Sequence, residues 1–207
     1  MLYKFYQKHI FPHLLNQVMQ TPSLMDLRRE LLLGVSGEVL EIGFGTGLNL
    51  PFYQGVDTVY ALEPNTAIFQ LAQERIDATP FVVEQITASA EQLPFASNQL
   101  QHVVSTWIVQ YSRPRAKPTR DLSRLTTRWY FAPRRTRFES TKFECSAFTT
   151  SAHASSKKVA DGCHLNRDIE NILLETGFEL GEVQYVDAAG IPSLAQHMLL
   201  AQVHKPL

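Results

Sequence analysis

The feature that most constrains this chain is the run Glu38-Val39-Leu40-Glu41-Ile42-Gly43-Phe44-Gly45-Thr46-Gly47, an apolar stretch the length of one strand that breaks into alternating glycines. A strand feeding a glycine-rich turn leaves backbone N–H groups free and lets a ligand approach the main chain. Where a helix follows, its positive end points into the same crevice. Thr46 to Tyr53 reads as the first turns of such a helix, despite Pro51. Leu48 stands where a dinucleotide fingerprint carries its third glycine, which disfavours NAD and FAD. Glu63 ends the next apolar stretch, at the separation where an acidic residue accepts hydrogen bonds from ribose hydroxyls. The competing role for Glu63 is to cap the helix after it. The loop reads as a nucleotide-type cofactor site.

Around this loop the chain alternates strand and helix. Asp57 to Leu62, Phe81 to Thr87 and His102 to Ile108 read as further strands, with a helix over Thr66 to Ile76 carrying Ile68, Leu71, Ala72 and Ile76 at helical spacing. Such alternation predicts βαβ units and a parallel sheet covered on both faces. Residues 2–33 read as helical, with Leu14, Leu15 and Val18 on one face, then Leu24, Leu27, Leu31 and Leu32 after Pro22. Gly34 and Gly37 end that region. Near the other end, Leu165 to Thr176 is an amphipathic helix with Asn166 as N-cap and Gly177 as its stop. Glu179 to Val186 and His197 to Val203 close the chain as strands. With 207 residues, 44% apolar composition and a net charge of −1, the expectation is one α/β domain without general affinity for nucleic acid. No apolar run spans a membrane, and Met1 to Tyr6 lacks a signal-peptide pattern, so a cytoplasmic location is expected.

These motifs resemble the class I S-adenosylmethionine-dependent methyltransferases. Val39 to Gly47 looks like their first motif, Glu63-Pro64-Asn65 the end of their second strand, and Ser89-Ala90-Glu91-Gln92-Leu93-Pro94-Phe95 the segment against the adenine. Val103-Val104-Ser105-Thr106-Trp107 is similar to their fourth strand. The tail Ala160-Asp161-Gly162-Cys163-His164-Leu165-Asn166-Arg167-Asp168, with Glu175-Thr176-Gly177-Phe178, resembles the ubiquinone/menaquinone-type and methyltransferase-like 7 branch. The resemblance covers residues 1–109 and 157–205 and implies a Rossmann-like, seven-stranded, mostly parallel sheet. It implies S-adenosylmethionine as cofactor and a small or lipid-like acceptor, in a monomer with no nucleic-acid partner and with peripheral membrane contact left open. Gly43, Gly45 and Gly47 would pass the methionine and ribose. Glu41 would support the loop or face the methionine amine, while Glu63 and Pro64 would lie at the ribose. Ala90 and Glu91 would flank the adenine, with Ser89 where many members carry an acid.

A sulfonium methyl is already activated, so a general base is not obligatory. Cys163 and His164, just before a helix, are the candidates for lining the acceptor pocket. A small buried cysteine and a capping or surface histidine are the commoner roles for such residues. Neither this pair nor His9 and His13, which lack carboxylate partners, makes a metal site. Tyr3, Phe5, Tyr6 and Phe11 either cover the pocket or pack on the sheet.

One segment does not belong. The domain divides into a helical cap (1–37), a cofactor-binding half (38–109), an arginine-rich segment (110–156) and a C-terminal helix with two strands (157–207). Eight of the twelve arginines fall between Arg113 and Arg137, where the resemblance demands a helix, a turn like L-K-P-G-G and a fifth strand. The segment reads as a basic RNA-gripping insertion, as a structureless loop too long for a compact domain, or as the product of two compensating frameshifts. Sliding the frame of Thr119 to Glu139 by one nucleotide permits R-E-I-Y-R-V-L-Q-P-G-G-I-L-L-L-V-E-H-G-L-S, the missing helix end, turn and strand. The third reading fits best, with shifts near Val109 and near Lys157. It predicts a disrupted fifth strand and unpaired neighbours. It also predicts charge from Arg128, Arg134, Arg135 and Arg137 where the sheet needs apolar burial. A destabilised chain, binding cofactor without turnover, is the alternative to an active enzyme.

Overall fold

The computed structural model describes residues 6, 9–90, 93–96, 99–106, 128–132, 169–175, 177–191 and 197–204. Helices α1 (Phe11–Val18) and α2 (Pro22–Leu31) precede β1 (Gly37–Ile42). A single 3-10 turn (Leu50–Phe52) leads to β2 (Val56–Leu62), then α3 (Thr66–Gln70), α4 (Gln73–Asp77), β3 (Val82–Ile86) and β4 (His102–Thr106). The chain continues with β5 (Arg128–Ala132), α5 (Ile169–Glu175), β6 (Glu179–Asp187) and β7 (His197–His204). The strands form one seven-stranded sheet in the order β3-β2-β1-β4-β5-β7-β6. Strands β1 to β5 pair in parallel, and β7 runs antiparallel to both β5 and β6.

Successive strand residues point to opposite faces, which splits the core in two. On one face Val39, Val59 and Val104 meet Leu24, Leu31 and Leu32 of the α2 region and Phe69 and Ala72 of the α3–α4 segment. On the other, Leu40, Ile42, Leu62 and Val103 meet Leu173 of α5 and Phe178. Full burial of a leucine such as Leu40 contributes about 2 kcal/mol. The stop expected at Gly177 is present in detail: with φ of 87°, it donates to Leu174 O while Phe178 donates to Leu173 O, the paired bonds of a Schellman end.

Two expectations are corrected. The fifth strand is not lost: Arg128 to Ala132 pair with His102 to Thr106 on one side, and Trp129 to Phe131 pair with Val203 to Ala201 on the other. The physical reason is that Trp129-Tyr130-Phe131 is itself strand-prone. Two neighbouring edges, β4 and β7, also need a partner for their backbone groups. The remainder of 110–156 lies outside the described residues. Second, no α-helix follows the glycine loop. The 3-10 turn Leu50–Phe52 is all that forms before Gly55, because too few residues separate Gly47 from Val56 and Pro51 supplies no N–H. Along α1, Leu14 and Val18 are exposed, as is Ile10 before it, while Phe11 and Pro12 are buried. Phe11 packs beside the Tyr6 ring. Tyr3, Phe5 and Asn166 lie outside the described residues.

Candidate cofactor site

The site stands at the carboxyl ends of β1 and β2. Gly43, Gly45 and Gly47 hold φ of 71°, 61° and 74°, a region that strains any side chain by about 1–2 kcal/mol. Gly43 and Phe44 donate their N–H groups to Leu62 O at 2.9 and 3.1 Å, stitching the loop onto β2. The glycines serve different ends. A Cβ on Gly45 would meet nothing nearer than Gly43 O at 3.7 Å, so the main chain there is open to a ligand. On Gly47 it would meet Leu50 Cδ1 at 3.1 Å, Ala72 Cβ at 3.2 Å and Phe44 Cζ at 3.3 Å. Gly47 is therefore a packing glycine that lets the α3–α4 segment close on the loop. Arg75 of α4 secures the same contact, donating from Nη1 to Thr46 O at 2.9 Å.

Glu63 is buried and grips this loop. Its Oε2 accepts the Gly45 N–H at 3.1 Å and its Oε1 the Asn65 N–H at 2.9 Å. The helix cap is its neighbour: Asn65 Oδ1 accepts from the Ala67 and Ile68 N–H groups at 3.0 and 3.4 Å. Burial raises the Glu63 pKa, against the two N–H donors that favour its charged form. Pro64 is exposed at the same turn. Beyond β3, Ser89 is exposed, and Ala90 is half-buried against the apolar cluster of the α5 face. Glu91, Cys163 and His164 lie outside the described residues.

Glu41 points to the face covered by α2, and both its oxygens are taken. Asn49 Nδ2 donates to Oε1 at 2.8 Å, and the Tyr53 hydroxyl donates to Oε2 at 2.7 Å. Arg28 of α2, only 4% exposed, completes the cluster by donating from Nη1 to Asn49 Oδ1 at 2.7 Å. Thr106 Oγ1 receives Asn49 Nδ2 at 3.3 Å. Burial pushes the Glu41 carboxyl up to about 7, opposed by the Tyr53 hydrogen bond and the Arg28 charge. Burial brings Arg28 down to about 10, with Glu41 pulling the other way. On the opposite face, Ser105 Oγ is buried near the end of β4 with no hydrogen-bond partner among the described residues.

Sequence reasoning missed Arg28, Asn49, Tyr53 and Ser105. One signal was present: Arg28 falls four residues after Leu24 and three before Leu31, a charge on the apolar stripe of its own helix. The features that fit an adenosylmethionine are the open main chain at Gly45 and the fixed carboxylate of Glu63.

Residues 40–128 match a family model described as a methyltransferase domain, a segment running from β1 to the first residue of β5. No curated protein matches the sequence. Among solved structures, magnesium protoporphyrin IX methyltransferase of Synechocystis PCC 6803 with bound S-adenosylhomocysteine superposes at a TM-score of 0.69. Identity is 11%, covering 99% of this chain and 98% of that one. A methyltransferase from Haloferax volcanii, in complex with the Trm112 methyltransferase activator, gives 0.70 at 13% identity over 99% and 97%. A methyltransferase of Bacillus halodurans gives 0.64 at 17% identity over 88% and 99%.

Sheet order and the solved structures that superpose on it give this chain the fold of the class I methyltransferases, and residues 40–128 carry the match to a methyltransferase domain.

Proposed function

We propose that this chain holds S-adenosylmethionine across the loop Gly43–Gly47 and Glu63, and transfers the methyl group to a small or lipid-like acceptor. The observation that carries this reading is the bond from the Gly45 N–H to Glu63 Oε2, which presets the loop and carboxylate in one geometry. In this reading Gly43 and Gly45 pass the methionine and ribose, with Gly47 packing the loop from behind. Glu63 holds the ribose hydroxyls beside Pro64, and Ser89, Ala90 and Glu91 line the adenine. The cofactor supplies an activated sulfonium methyl. The chain supplies orientation, since an in-line displacement needs the acceptor held near attack distance. An apolar, amphipathic acceptor is supported by the neighbour named for magnesium protoporphyrin IX. Among the described residues no helix is long and apolar enough to cross a membrane.

The arginine-rich stretch in place of the expected helix and turn favours a second reading, in which cofactor binds without turnover. Incubating the chain with methyl-labelled S-adenosylmethionine and a panel of thiols, phenols and amphipathic acids separates the two. Labelled product supports the enzyme; binding with no product across the panel supports the second.

A further inference from the structure

The buried cluster under the cofactor loop holds more charge than packing requires. An apolar residue at position 28 would complete the stripe of Leu24 and Leu31, yet the position carries a guanidinium. Burying ions is unfavourable unless they are paired and hydrogen-bonded. The pairing here is directional. Arg28 Nη1 engages Asn49 Oδ1, which turns the amide so that Nδ2 faces Glu41 Oε1 and Thr106 Oγ1. An amide can meet a cation only with its oxygen and a carboxylate only with its nitrogen, so Arg28 sets which end of Asn49 meets Glu41.

We propose that Arg28 is a positioning residue of the cofactor site: acting through Asn49, it fixes the Glu41 carboxylate behind the loop and docks the cap helix α2 onto it, so that cofactor binding and cap docking are linked. The inference rests on the adenosylmethionine reading and deepens it. Glu41 lies two residues before Gly43, and its register partners on β2 and β4 are the apolar Ala61 and Val104. Among the described residues, the titratable groups facing it are Arg28 from α2 and Tyr53 from the segment after the loop. A cofactor ending in an ammonium binds better to a loop backed by an ionised carboxylate. Arg28 favours that ionised form, so its loss moves the Glu41 titration to higher pH.

The test is calorimetric titration of the full chain with S-adenosylhomocysteine between pH 6 and pH 9, for wild type, Arg28→Met, Arg28→Lys and Asn49→Ser. Wild type is expected to bind more tightly as pH rises through the Glu41 titration. Arg28→Met is expected to lose about tenfold in affinity at neutral pH, with its midpoint about one unit higher. Arg28→Lys is expected to restore part of both. A merely structural arginine would lower thermal stability and leave the midpoint in place. Binding by wild type with an unmoved midpoint in Arg28→Met overturns this inference alone. No binding by wild type overturns the cofactor reading and this inference with it. If Arg28→Met does not fold, Asn49→Ser decides: reduced affinity supports the relay, and wild-type affinity overturns it.

Discussion

The Gly45 N–H and the Glu63 carboxylate meet at 3.1 Å, joining the loop after β1 to the end of β2 across 18 residues of chain. This bond orders the loop before a ligand arrives, and it occupies only part of the acceptor capacity of the carboxylate. Glu63→Gln keeps the shape and an acceptor oxygen but removes the charge. Cofactor affinity, read by calorimetry, should fall about tenfold, the difference between a charged and a neutral acceptor. Unchanged affinity would remove Glu63 from the site.

The two glycines should respond differently to alanine. At Gly45 only backbone strain is added, about 1–2 kcal/mol. At Gly47 the same strain is joined by contacts of 3.1–3.3 Å with Leu50, Ala72 and Phe44, and overpacking adds about 1–3 kcal/mol. Urea unfolding should therefore rank Gly47→Ala well below Gly45→Ala in stability. Cofactor binding should rank them by access instead, with Gly45→Ala losing affinity in a chain that stays folded.

Glu41 predicts a pH dependence of stability. Its folded pKa is raised to about 7 from 4.5, so between those values the folded state binds a proton that the unfolded state releases. The stabilising contribution is complete below the unfolded value and is lost as pH rises through the folded one, a total of a few kcal/mol. Chemical denaturation from pH 4.5 to pH 8 should show stability falling across this window. Glu41→Gln, neutral at every pH, should flatten that slope; an equal slope in both proteins would assign it elsewhere.

Strand β5 offers a backbone test. Tyr130 pairs with Val104 on one side and Gln202 on the other, so a proline there breaks an interior ladder at about 3 kcal/mol or more. Tyr130→Pro should unfold the domain or lower its melting temperature steeply. A small effect would mean that residues 128–132 do not pair as an interior strand.

The coding DNA tests the origin of the arginine-rich segment. Codons for Thr119 to Glu139 should read, one nucleotide out of frame, as the apolar strand and glycine turn that the first half of the domain demands. Incompatible codons would end the frameshift account.

The parallel half of the fold was legible because Val39-Leu40, Val59-Tyr60-Ala61-Leu62 and Val103-Val104 are apolar runs, the first ending in glycines and the second in Glu63. The closing strands and the glycine stop at Gly177 were legible for the same local reason. Strand β5 was not, since Arg128-Trp129-Tyr130-Phe131-Ala132 looks unlike its neighbours and pairs because tertiary context provides two open edges. In the site, the glycines and Glu63 showed themselves by spacing. The cap role of Asn65 and the packing role of Gly47 depend on which atoms lie nearby, and spacing carries no such information. Arg28 and Asn49 stand 21 residues apart and meet only after α2 folds over β1.

The most direct test of the account is calorimetric titration of the unmodified chain with S-adenosylhomocysteine beside Glu63→Gln. The account predicts one saturable site per chain, weakened in the variant. A folded chain that gives no binding heat, or identical binding by both proteins, would contradict it.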